Sequence, residues 1–225
     1  MRMRSKLLLF AGICAGLMAA SNAAAVIMLD VGPGTSATQA GWTAISQYND
    51  YAHAPGGSYL GPVALGGGVT AGFYNTFNVG TTDRGAAAIA ASPLHALGLD
   101  ELLRDYGMFS TAGSTYSLLV KGLTPGDYNV TVYSADPSYP NETRAVAVQG
   151  VAVTFDPFGT TPTLDKIAKT VTVTVSATGE LAITRPVGAS APCKFNGVVV
   201  EPVPEPVTLV MLASGIGLLV LRRRG

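Results

Sequence analysis

The chain has 225 residues, 48% hydrophobic and only 12% charged, against roughly 25% charged in an average globular domain. Its formal charge of zero hides an uneven distribution. Arg2, Arg4 and Lys6 stand at one end and Arg222, Arg223 and Arg224 at the other, so residues 26–203 hold 8 cations against 13 anions, a net charge of −5. An acidic body lacks the basic stripe that a phosphate backbone requires, which excludes nucleic acid as a partner.

Residues 1–25 have the layout of a secretory signal peptide. Arg2, Arg4 and Lys6 make a basic start, residues 7–20 are an apolar run, and Ser21-Asn22-Ala23-Ala24-Ala25 supplies the small-x-small site of signal peptidase. The run has 14 residues, short of the ~20 that span a bilayer. Cys14 lies inside it behind the bulky Ile13, which does not fit a lipoprotein cysteine. Removal of the leader leaves Cys193 without a disulfide partner in the chain. Cys193 is expected to be a small apolar residue packed beside Phe195.

Residues 26–201 predict an all-β domain. Strands are expected, in chain order, at residues 26–31, 115–121, 127–133, 144–148, 151–155, 171–175, 180–184 and 195–201. The alternation is strict in Val171-Thr172-Val173-Thr174-Val175, with valines on one face and threonines on the other. Thr124-Pro125-Gly126-Asp127 fits a tight turn, and Gln149-Gly150 a hairpin turn. Residues 49–90, broken by Gly56-Gly57 and Gly66-Gly67-Gly68, are expected to be long loops with one or two strands near residues 69–73. One helix is expected at residues 100–106, capped by Asp100 and ended by a left-handed Gly107, and Ser92-Pro93 opens a short turn. This inventory predicts a jelly-roll β-sandwich rather than a barrel enzyme.

The C-terminus carries the sharpest motif. Val203-Pro204-Glu205-Pro206 precedes an apolar stretch at residues 207–221 and the terminal arginines. Fifteen apolar residues make a transmembrane helix of ~22 Å, short for a ~30 Å hydrocarbon core, and the arginines would hold its end at the cytoplasmic face. This segment resembles the PEP-CTERM sorting signal of Gram-negative bacteria, in Pro204-Glu205-Pro206, in Gly215 and Gly217, and in Arg222, Arg223 and Arg224. The signal is also known as the ice-binding protein C-terminal motif, a name that implies no ice-binding activity. The resemblance implies export, transient anchoring in the inner membrane, recognition by an exosortase, and delivery to the cell surface or extracellular matrix. The expected plan is a signal peptide at 1–25, a sandwich at 26–201 and a sorting signal at 202–225.

The body has a likeness of its own. Met28-Leu29-Asp30-Val31-Gly32, Gly41-Trp42-Thr43, Thr82-Asp83-Arg84-Gly85, Leu102-Leu103-Arg104-Asp105-Tyr106, residues 123–132 and Phe195-Asn196-Gly197-Val198-Val199-Val200 follow in the order of galactose-binding-like (malectin-like) β-sandwich modules. That resemblance implies a two-sheet jelly roll whose relatives often bind glycans and are rarely catalytic.

No motif predicts catalysis. His53 and His95 are too far apart for a local metal site, and neither His-Glu-x-x-His nor Cys-x-x-Cys occurs. Gly56-Gly57-Ser58-Tyr59-Leu60 misses the nucleophile-elbow pattern at its last position. Gly66-Gly67-Gly68 lacks the lysine of a phosphate loop and is expected to be a flexible turn. Among Asp100, Glu101 and Asp105, Asp100 has a capping role and Arg104 offers a partner to Asp100 and Asp105. Neither a metal nor a cofactor is expected, and the chain is not expected to be an enzyme. The candidate glycan-binding residues are Trp42, Tyr48, Tyr51, Tyr59 and Tyr74, whose rings can stack on pyranose C–H patches. Asp83 and Arg84 either bond sugar hydroxyls or form interlocking ion pairs with Arg104-Asp105. The expected function is an exported, non-catalytic module that contacts extracellular polysaccharide. The alternatives are a structural or adhesive matrix protein, and a carbohydrate-active hydrolase or lyase.

Overall fold

Alternating apolar residues build the core. In β8 (Gly126–Tyr133), Tyr128, Val130 and Val132 are buried, and the residues between them are not. β11 (Ala168–Val175) pairs with β8 antiparallel over its whole length, Val171 opposite Val130. The computed structural model describes residues 25–46, 49, 60–74, 79–109, 117–188, 190 and 193–204. Val26–Glu201 forms one compact unit.

Three sheets make up this unit. A five-stranded sheet has the order β11-β8-β14-β1-β2, with β14 at Gly197–Pro202, β1 at Ile27–Val31 and β2 at Thr43–Ile45. A six-stranded sheet has the order β10-β9-β12-β7-β4-β3, formed by Val151–Phe155, Arg144–Val148, Leu181–Thr184, Ser117–Lys121, Val69–Tyr74 and Val63–Gly66. A three-stranded sheet joins β13 (Cys193–Phe195), β6 (Asp105–Phe109) and β5 (Val79–Asp83). One buried cluster draws Leu29, Val130, Val173 and Val198 from the first sheet, Phe73, Leu118, Val146 and Ile183 from the second, and Phe109, Cys193 and Phe195 from the third. The fold is an all-β sandwich. Cys193 is fully buried in that core, and burial pushes its thiol up to about 12.

Among the described residues the helical pieces are short: α1 (Ala86–Ala90), a 3-10 turn (Pro93–Leu97), α2 (Asp100–Arg104) and α3 (Leu164–Ile167). Ile89, Leu94, Leu103, Phe158 and Ile167 bury a second, smaller core among them.

Several expectations are corrected. The helix at 100–106 ends at Arg104, and Asp105 and Tyr106 belong to β6. Asp100 makes no cap; its carboxylate lies 2.6 Å from His95 Nδ1. Gly107 is a strand residue, required because a Cβ there would come within 2.7 Å of Val31 Cγ1. In the segment 49–90 the strand expected near residues 69–73 is β4, and the described residues add β3, β5 and α1, which were not expected. The strand expected at 195–201 is split at Asn196 between β13 and β14. Buried Asn196 donates to the carbonyls of Leu103 and Asp105 and accepts from Ala135 N, tying the small sheet to the large one. Among the described residues no helix is long and apolar enough to cross a membrane. The expected helix at 207–221, the leader up to Ala24, and Glu205, Pro206 and Arg222 to Arg224 lie outside the described residues.

Candidate functional site

The small sheet builds a polar face by strand alternation. Asp105, Gly107 and Phe109 of β6 turn one way, and Tyr106 and Met108 turn the other. Thr82 of β5 is opposite Tyr106 and Lys194 of β13 is opposite Met108. Lys194 and Tyr106 therefore share a face, joined by Arg84 two residues beyond Thr82. Residues 134–142, which follow β8, lie against this face.

Asp136, wholly buried, is the centre of the cluster. Arg84 grips it with a fork, Nε donating to Oδ1 at 3.1 Å and Nη2 to Oδ2 at 2.9 Å. Nη2 also donates to the Tyr106 hydroxyl at 2.8 Å. Lys194 Nζ donates to Asp136 Oδ2 at 3.0 Å and to Glu142 Oε2 at 2.7 Å. Burial raises the Asp136 pKa, but the bonds from Arg84, Lys194 and Ser138 N outweigh it and hold the carboxyl below its ordinary value. Burial likewise opposes the charge on Lys194, and Glu142 and Asp136 overcome it.

Tyr139 lies over these cations. Its ring centroid is 4.5 Å from Lys194 Nζ and 5.5 Å from Arg84 Cζ, within cation–π range. The residue is nevertheless 51% exposed. Beside it Ser138, Pro140, Asn141 and Glu142 line an open depression of about 350 Å³. Pro140 O accepts from Phe158 N and Gly159 N, which fixes the loop from behind. Below it Arg144 is fully buried against the Phe158 ring, with Nη1 3.5 Å from Tyr139 O. The result is an exposed aromatic ring on a rigid ionic base, flanked by a hydroxyl, an amide and a carboxylate. It can stack on the C–H face of a sugar ring and bond its hydroxyls.

The described residues among those expected from sequence, Trp42, Tyr74, Asp83 and Arg84, are dispersed. Arg84 is in the cluster, with its Nε and Nη2 engaged by Asp136 and Tyr106. Asp83 pairs with Arg104 at 2.9 Å. Arg104 also meets Glu101 at 2.8 Å and Asp105 at 3.6 Å, so the expected interlock forms at Asp83 and Arg104, whereas Arg84 pairs with Asp136. Trp42 is half-buried, edge-on to Tyr133 at 5.5 Å, on the five-stranded sheet. Tyr74 is exposed at the end of β4, opposite Ser117 on the six-stranded sheet. Tyr48, Tyr51 and Tyr59 lie outside the described residues. Tyr106, Asp136, Tyr139, Glu142 and Lys194 were not legible as a group. The available signal was Asp136-Pro137-Ser138-Tyr139-Pro140, an aromatic between two prolines directly after an alternating strand.

No protein-family model matches the chain, and no curated protein matches it. Solved structures similar to it include protein YxiM from Bacillus subtilis, with 17% identity and a TM-score of 0.51 over 80% of this chain and 40% of that one. A calcium-binding mutant of β-glucuronidase 2 from Bacteroides uniformis shares 10% identity, with a TM-score of 0.43 over 80% of this chain and 18% of that one. CBM35 from Paenibacillus barcinonensis shares 18% identity, with a TM-score of 0.29 over 44% of this chain and 78% of that one. The chain spans less than half the length of the first two. The likeness to YxiM shows the fold, an all-β sandwich, and nothing about activity.

Proposed function

We propose that this chain is an exported, non-catalytic protein of the cell surface or extracellular matrix, whose sandwich is a galactose-binding-like jelly roll that binds carbohydrate. The observation that carries the binding reading is the exposed Tyr139 ring held on Arg84, Asp136 and Lys194 beside the 138–142 depression. A ring already immobilised gives up little conformational entropy when a sugar stacks on it. Affinity electrophoresis through gels of extracellular polysaccharides tests this. The parent is expected to be retarded and Tyr139→Ala to migrate freely with unchanged thermal stability. Equal migration of both in every gel, with and without polysaccharide, would contradict it and favour the structural or adhesive reading. That second reading has its own support in the engagement of both Arg84 and Lys194 by carboxylates.

Export and sorting rest on the ends of the sequence. In this reading signal peptidase removes residues 1–25, the apolar stretch 207–221 anchors the chain in the inner membrane, and an exosortase recognises Pro204-Glu205-Pro206. Pro204, the described part of the motif, is exposed just after β14. Glu205→Ala is expected to leave an uncleaved, membrane-retained form in fractionated cells. Identical fractionation of variant and parent would refute the sorting assignment.

A further inference from the structure

β1 and β2 are parallel neighbours, Leu29 opposite Thr43, so the chain must cross between them. It does so in a strap, residues 32–42, shorter than the dozen or more residues usual for a parallel crossover. The strap starts with Gly32 N donating to Ile45 O at 3.1 Å and ends with Trp42 N donating to Gln39 O at 3.0 Å. Its last side chain, Trp42, rests on Tyr133 and comes so close to β14 that a Cβ on Gly197 would lie 2.9 Å from Trp42 Cζ3.

Under the strap is a small, partly open cavity of about 10 Å³, lined by Gly32, Pro33, Ser36 and Thr38 of the strap and by Asp30 of β1 and Asp105 of β6. A cavity of that size holds about one water. Asp30 is 3% exposed and Asp105 1%. Asp30 Oδ2 accepts from Gln39 N at 2.7 Å, and its Oδ1 has no partner. Asp105 Oδ1 has no hydrogen bond, and the strap presses on the other oxygen: a Cβ on Gly32 would lie 2.7 Å from Asp105 Oδ2. Around Asp105 stand Asp83 from β5, Arg104 from α2 and Ser36 from the strap. Around Asp30 stand Gln39 from the strap and Glu101 and Arg104 from α2. Arg104 thus serves four carboxyl groups, and its closest contacts go to Asp83 and Glu101. Full ionisation would set four negative charges against the one positive charge of Arg104, two of them, on Asp30 and Asp105, in the wall of a space for one water.

We propose that Asp30 and Asp105 form a protonation lock on the strap: with both carboxyls neutral the strap lies closed, and their ionisation lifts it and frees Trp42 from Tyr133. Two buried anions demand water, and the strap is the wall that can move without breaking a sheet ladder. The acidities agree with this. Burial pushes Asp30 up to about 6 and Asp105 up to about 7. Both groups therefore favour the closed strap in acid and lose that contribution as pH rises through those values.

Trp42 is the one tryptophan of the chain, so acrylamide quenching of the full-length protein reports the strap directly. From about pH 5 to about pH 8, quenching is expected to rise roughly threefold, with unchanged far-ultraviolet circular dichroism. Asp105→Asn, neutral at every pH, is expected to flatten the rise, and Asp30→Asn to reduce it. Quenching of the parent that is flat over this range would overturn the lock, as would an unaltered rise in both variants. Should the variants unfold, hydrogen exchange at Gln39 N–H in the parent decides. Protection, corrected for intrinsic rate, is expected to fall at least about tenfold over the same range, and constant protection would overturn the proposal.

Discussion

Asp136 is a buried carboxylate whose value to the fold depends on both of its cations. Its Oδ2 lies 2.9 Å from Arg84 Nη2 and 3.0 Å from Lys194 Nζ. Asp136→Asn would leave two cations short of a charge in a desolvated place, a change that costs about 3 kcal/mol or more. Glu180, paired with Lys121 at 2.8 Å but 44% exposed, is the comparison: Glu180→Gln is expected to stay within about 1 kcal/mol. Urea denaturation of the two variants checks the contrast. The Asp136 pKa is lowered on folding from 3.8. Its contribution is therefore present above the unfolded value and lost as pH falls through the folded one. Asp30 and Asp105 act in the opposite sense. Arg84 was legible in the sequence as one of the few cations of the body. Its partner was not, because 52 residues separate it from Asp136 and no periodicity links residues so far apart.

Among the strands, legibility followed alternation. β9 and β10 lie where the pattern put them, Arg144–Val148 and Val151–Phe155. β5 has the sequence Val-Gly-Thr-Thr-Asp, which carries no apolar period to read. β6 was hidden because no glycine or proline separates Arg104, the last residue of α2, from Asp105, the first of β6, so helix and strand read as one continuous element. The Gln149-Gly150 turn joining β9 to β10 was legible from its position between two strands. Gln149 has φ 47° and Gly150 φ 80°, the two positive values of a type I′ hairpin turn. Open space surrounds the missing Cβ of Gly150, so Gly150→Ala tests backbone strain without a clash. It is expected to destabilise by about 1 kcal/mol, measured as a lower thermal midpoint. No change in midpoint would mean that the turn accepts a different conformation.

At the scale of the whole molecule, two large sheets bury the core and the third positions polar side chains at its edge. Phe109, Cys193 and Phe195 anchor that third sheet inward, and Tyr106 and Lys194 face the loop that carries Tyr139. The scaffold thus fixes an exposed aromatic ring through charges that are themselves fully paired, an arrangement suited to holding a sugar. The most direct test is calorimetric titration of the full-length protein with oligosaccharides from polysaccharides that retard it, alongside an assay for released sugars. Saturable binding by the parent, its loss in Tyr139→Ala at unchanged stability, and intact polysaccharide throughout are the expected results. Binding that survives Tyr139→Ala, or release of sugar by the parent, would contradict a non-catalytic site at Tyr139.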